Sequence, residues 1–249
     1  GCGSQSVDCT RFRYGQCNQN VECVGEIACR VVTCVPPWEW DPTCTTTSAT
    51  DNQTAFHDRP CLHDGFTDVA PDAFYTEAVG WMAAEGITTG LTNDLFGPRE
   101  PAPRSHFATF LWRYAGRPDA PADSGFVDVS PDAWYAQPVS WMVGHGLTTG
   151  IGDNRFGPDM ILPRSQAITF LWRLAGSPTA RVAHNFSDVS SSNYFDVAVG
   201  WAAENGVTTG VSPTLFAPTQ PLTRAQAATF LHRFHMLFHD TLALPGATP

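Results

Sequence analysis

The chain repeats itself with a period of 60 residues. Phe66, Phe126 and Phe186 head three copies; Asp68, Asp128 and Asp188 follow, then Trp81, Trp141 and Trp201. Gly90, Gly150 and Gly210 come next, then Phe96, Phe156 and Phe216, then Arg104, Arg164 and Arg224. Each Arg stands six residues before the Phe of a Thr-Phe-Leu run, at Phe110, Phe170 and Phe230. A period held through so many positions requires each copy to be built alike and stacked on its neighbours, because no copy of this size buries enough apolar surface alone. Three equivalent surfaces suit multivalent binding better than a single active site.

Composition narrows the partner. The net charge is −10 and all 14 basic residues are Arg, none of them clustered. That argues against nucleic acid, whose backbone is held by concentrated positive charge. No apolar run reaches the length of a membrane span. Gly1 shows neither an initiator Met nor a leader pattern, so the expectation is a processed product or a piece of something longer.

All eight cysteines (Cys2, Cys9, Cys17, Cys23, Cys29, Cys34, Cys44 and Cys61) fall in residues 1–61, and the repeats have none. An even, dense set reads as a disulfide framework. Such bridges persist in oxidising surroundings, which points to an extracellular or cell-surface location. The possible pairings number on the order of 100 and stay open. Zinc sites need tighter Cys pairs than these. The segment is loop-rich, with turn signals at Pro36-Pro37 and Asp41-Pro42. Its role is open.

The repeats run 66–117, 126–177 and 186–239, joined by the polar, Pro-bearing linkers 118–125 and 178–185 and followed by a tail at 240–249. Each carries two helical patterns. The first covers Thr76 to Glu85 and its equivalents, with Val79, Met82 and Ala83 on one face. Pro138 belongs in its first turn. Gly86, Gly146 and Gly206 stop it. The second helix starts near Arg104, Arg164 and Arg224. Thr223 to Gln226 is a capping box, with Pro103 and Pro163 at the same place in the other copies. Phe107, Phe110, Leu111 and Tyr114 form its inward stripe. The expected architecture is mainly α, with the second helices inside a shared core.

These residues resemble a known family. The run FTDVAPDAFYTEAVGWMAAEGITTGLTNDLFGP (66–98) and its two successors have the frame F-x-D-V, a helix with an aromatic before it, G-[IVL]-x-x-G and F-x-P, then a TRAE-like helix start. The chain is similar over 66–239 to S-layer homology (SLH) repeats. The resemblance implies a pseudo-threefold helical spindle. Its inter-repeat grooves would bind bacterial secondary cell-wall polysaccharide, often pyruvylated, and so tether a surface protein to the wall. It maps the family's key Arg to Arg104, Arg164 and Arg224. This sequence departs from the pattern at PRSH (103–106) and PRSQ (163–166), where His106 stands in place of Glu or Gln.

The chemistry supports an anion site at those positions. A guanidinium fork matches a carboxylate, and free N–H groups and the dipole at a helix start add to the pull. The candidate ligand-binding set is Arg104, Arg164 and Arg224 with Gly90, Gly150, Gly210, Asp68, Asp128, Asp188, Trp81, Trp141 and Trp201. Each member has a structural alternative. The Arg can pair with the repeated Asp, the Trp can fill the core together with Trp112 and Trp172, and the Gly can supply a positive φ. His232, His235 and His239 share a helix face, and His57 and His63 flank Cys61, but no metal or other cofactor is assigned to either group. No catalytic motif is present, so the expectation is a non-catalytic anchoring module. Its rival is a subunit of an extracellular lattice or filament, held by contacts with other copies of itself.

Overall fold

The first helix of every repeat is short because its own sequence ends it. The computed structural model describes residues 21–24, 28–31 and 66–239. In it these helices are α1 (Thr76–Ala84), α3 (Ala136–Gly144) and α5 (Asp196–Glu204). Past α1, Gly86 takes φ +64°, its N–H donates to Ala83 O, and the N–H of Ile87 donates to Met82 O. That is a Schellman stop, which needs a left-handed residue where Gly sits. Pro138 occupies the third position of α3, where its missing donor costs nothing.

The second helices are α2 (Arg104–Tyr114), α4 (Arg164–Leu174) and α6 (Arg224–Phe238). The capping box at Thr223 and Gln226 is formed. Pro103 and Pro163 stand at the N-cap in extended conformation and offer no capping side chain. Along the inner stripe Phe107, Phe110 and Leu111 are buried and Tyr114 is half-buried. Each inner helix packs on the first helix of the following repeat: α2 on α3, α4 on α5, and α6 back on α1. The three copies therefore close into a ring. At its centre Ala102 N donates to Leu222 O (2.8 Å), Leu222 N to Leu162 O (2.8 Å) and Leu162 N to Ala102 O (2.9 Å).

The repeated Phe heads one continuous core that runs through all three copies. Gly90 shows why the loop glycine recurs. It sits at φ +80°, and a Cβ there would lie 2.5 Å from the Phe66 ring and 2.6 Å from Leu95 O. Conformation and space both demand Gly.

Outside the repeats, β1 (Val21–Val24) and β2 (Ala28–Val31) form an antiparallel hairpin that sets Cys23 opposite Cys29. The other six cysteines, His57, His63 and the tail 240–249 lie outside the described residues. Among the described residues no helix is long and apolar enough to cross a membrane.

Candidate functional site: grooves floored by arginine

The N-terminus of each inner helix meets the loop of the next repeat, and this junction builds the site. Arg104 Nε donates to Phe156 O (2.7 Å), Arg164 Nε to Phe216 O (2.9 Å) and Arg224 Nε to Phe96 O (2.7 Å). Each guanidinium lies between two phenyl rings of that same neighbour. For Arg104 these are Phe156 and Phe170, at 4.6 and 5.4 Å from the ring centroids. Phe216 and Phe230 enclose Arg164, and Phe96 and Phe110 enclose Arg224. All three arginines are only 2% exposed. Burial pushes each pKa down to about 10, which leaves the group charged at neutral pH.

This arrangement corrects two expectations. The helix-start amides are not free. Arg104 N donates to Met160 O and Ser105 N to Pro158 O, both carbonyls of the next copy, and the other two junctions repeat the pattern. The chain satisfies those donors itself, so an anion would have the guanidinium alone. Nor does any of the three arginines form a salt bridge with the repeated Asp. Asp68 instead accepts from the N–H groups of Phe96 and Gly97, at 2.8 and 2.7 Å, and Asp128 and Asp188 do the same in their copies. The Asp clamps the loop of its own repeat and leaves the arginine to the neighbouring one.

One donor remains. In all three arginines Nη2 is buried and has no hydrogen-bond partner. A buried N–H of a cation without an acceptor is costly and rare, and an incoming acceptor would relieve it. Nη1 differs between copies. In Arg104 it donates to Gln166 Oε1, and in Arg224 it lies 3.1 Å from His106 Nδ1. Gln226, the equivalent residue beside Arg164, spends its Oε1 on Thr223 N within the capping box.

Above Arg104 lies a groove of about 390 Å³ between repeats 2 and 3. Met160, Pro163, Gln166, Tyr194 and Thr219 line it. Tyr194 is 65% exposed, and its equivalents Phe74 and Trp134 are 68% and 59% exposed. Three bare aromatic rings at one position of a threefold ring are the feature that the sequence reading missed. The signal was present, since each copy has two adjacent aromatics before its first helix. One of each pair turns inward (Tyr75, Tyr135 and Phe195) and the other outward.

The remaining candidates lie elsewhere. Trp81, Trp141 and Trp201 are in the core, and Trp81 stacks on His235 at 4.7 Å in the seam between α1 and α6. His232 packs against the same ring at 5.1 Å. Trp112 and Trp172 are half-buried and donate to Pro118 O and Pro178 O at the start of the linkers. Gly90, Gly150 and Gly210 hold the loop turn. Of the proposed set, Arg104 lines the groove between repeats 2 and 3, and Arg164 and Arg224 hold the equivalent positions in the other copies.

The sequence profile of the S-layer homology domain matches residues 65–108, 125–168 and 185–228. The chain belongs to the S-layer homology family. A cell surface protein of Thermoanaerobacter kivui is 34% identical over 116 residues, which is 45% of this chain and 15% of that protein. The surface-layer 125 kDa protein of Lysinibacillus sphaericus is 29% identical over 70% of this chain and 14% of its own length. An amylopullulanase of Thermoanaerobacterium thermosulfurigenes is 26% identical over 67% of this chain and 9% of its own. The SLH chain thus spans a small part of each relative it matches. Each matched segment ends at the first turn of an inner helix, just past the arginine.

Proposed function

We propose that the three SLH repeats are a non-catalytic anchor that holds an extracellular protein to the bacterial surface by gripping an acidic cell-wall polysaccharide. The observation that carries this reading is the unpartnered, buried Nη2 of Arg104, Arg164 and Arg224. A carboxylate, such as that of a pyruvate ketal, would supply the missing acceptor and neutralise a cation that has no salt bridge among the described residues. The exposed rings of Phe74, Trp134 and Tyr194 would stack on the apolar faces of the sugars. Three such grooves on one molecule would convert modest single-site affinity into firm attachment to a repeating polymer. The surface-layer and cell-surface names of two relatives agree with this location. The amylopullulanase is matched over only 9% of its own length, and we assign its catalysis to the remainder.

The test is co-sedimentation of the chain with purified wall polymer, before and after mild-acid removal of the ketal. Loss of binding on removal is expected. Undiminished binding would refute the carboxylate, and no binding to either form would refute the anchor.

A further inference from the structure

The three grooves share a backbone but not their charge. One position on the groove wall is Arg99, Asp159 and Thr219 in the three copies, and the next is Glu100, Met160 and Gln220. By the threefold relation, Arg99 and Gln220 belong to the groove between repeats 3 and 1. The groove between repeats 2 and 3 has Thr219 and Met160. The groove between repeats 1 and 2 takes Asp159 and Glu100, and so carries two carboxylates where the others carry none.

That same groove holds His106. Its Nδ1 sits 3.1 Å from Arg224 Nη1, and a guanidinium can only donate. Nδ1 is therefore the acceptor, and the neutral ring carries its proton on Nε2. The exposed Trp134 stands edge-on to the imidazole at 5.3 Å. The charges around His106 are those of Arg224 and Asp159, while Asp68 and Glu100 act on Arg224 and Tyr135 stands near Asp159. Burial first and Arg224 second hold the His106 pKa below its ordinary value, with Asp159 opposing. At neutral pH the ring is uncharged, and Asp159 and Glu100 offset the attraction of Arg224 for an anion. A proton on Nδ1 would turn two donors toward each other. An anion placed between them would accept from both and remove the conflict.

Granted that the grooves take a carboxylated saccharide, we propose that the groove between repeats 1 and 2 is a proton-linked anion site, in which His106 and Arg224 bind a carboxylate together as His106 takes up a proton. The groove fills under mildly acidic conditions, whereas the grooves of Gln166 and Gln226 bind across the same range. Anion binding raises the pKa of His106, so affinity at this groove grows as pH falls, by about tenfold per unit between the free and bound values.

The experiment uses the intact chain and, as probe, a methyl hexoside bearing a 4,6-linked pyruvate ketal. NMR follows the Trp134 indole N–H for this groove and the Tyr194 ring for the groove between repeats 2 and 3, at about pH 5.5 and about pH 7.5, the range over which histidine changes charge. The expected result is saturable binding at Trp134 that is weaker at the higher pH, with a slope of up to about tenfold per unit, and Tyr194 changing less than about twofold. The His106 pKa, read from its ring signals, should rise on saturation. The variant His106→Gln should lose the pH dependence, and should it fail to fold, the His106 pKa in the unaltered chain still decides. Equal response of Trp134 at both pH values, an unmoved His106 pKa, or a pH slope that survives His106→Gln would overturn the proposal while a responding Tyr194 left the carboxylate reading standing. Silence at both groups and both pH values would overturn the two together.

Discussion

Replacing Arg164 by Met separates the arginine as a tie between repeats from the arginine as a ligand group. Met keeps most of the side-chain volume, so the change is chiefly one of charge and hydrogen bonding. It removes the Nε donor from Phe216 O, a bond to a charged group worth about 1.5–3 kcal/mol. It also removes two cation–π contacts, to Phe216 at 5.0 Å and Phe230 at 5.1 Å, together about 1–2 kcal/mol. Against these stands relief from burying a cation whose Nη2 lacks a partner. The net expectation is a loss of about 2–4 kcal/mol, since a buried carbonyl is also left unmet. For a domain of this size that lowers the melting temperature by roughly 5–15 °C. Differential scanning calorimetry of the two proteins at the same pH measures it. A shift under about 2 °C, or any increase, would mean that the burial cost of the cation cancels its contacts, and the arginine would then not be a tie between repeats.

Two further outcomes follow from the same geometry. Tyr194→Ala should change stability by less than about 0.5 kcal/mol, because the ring is exposed. It should weaken retention on wall polymer by about 5- to 30-fold, the effect of losing 1–2 kcal/mol of ring contact; a fall in melting temperature with unchanged binding would contradict the groove assignment. Burial opposes ionisation of Asp188, but the amides of Phe216 and Ala217, with Arg164, outweigh it and hold the pKa below its ordinary value. A depressed carboxyl stabilises the fold above the unfolded value near 4 and loses that contribution as pH falls through the folded one. Thermal scans below about pH 4 should therefore show the unaltered chain losing stability more steeply than Asp188→Asn, and parallel curves would sink this account.

The helices were legible because each is punctuated locally. Gly86 and Pro138 act within a turn of the residues they govern, and the box at Thr223 and Gln226 closes over three residues. The groove was less legible because its contacts run between copies. A 60-residue period marks Arg104 and Asp68 as recurring, yet it says the same of Arg104 and Phe156. Only the closed ring shows that each arginine reaches forward into the next repeat. The occupied helix-start amides have the same origin, since the carbonyls that fill them come from a neighbour. Composition could not sort the paired aromatics either. Phe74 and Tyr75 are alike in kind, and the sequence before α1 has no periodicity to say which one turns to solvent.

The ring of backbone bonds among Ala102, Leu162 and Leu222 also fixes how many copies are viable. With two repeats the last guanidinium would find neither its carbonyl nor its phenyl rings, and a fourth would have no open end to join. A chain cut within any one copy should open this circle and leave an arginine of a neighbouring copy without its carbonyl, so damage to one repeat should spread to the junctions of the others.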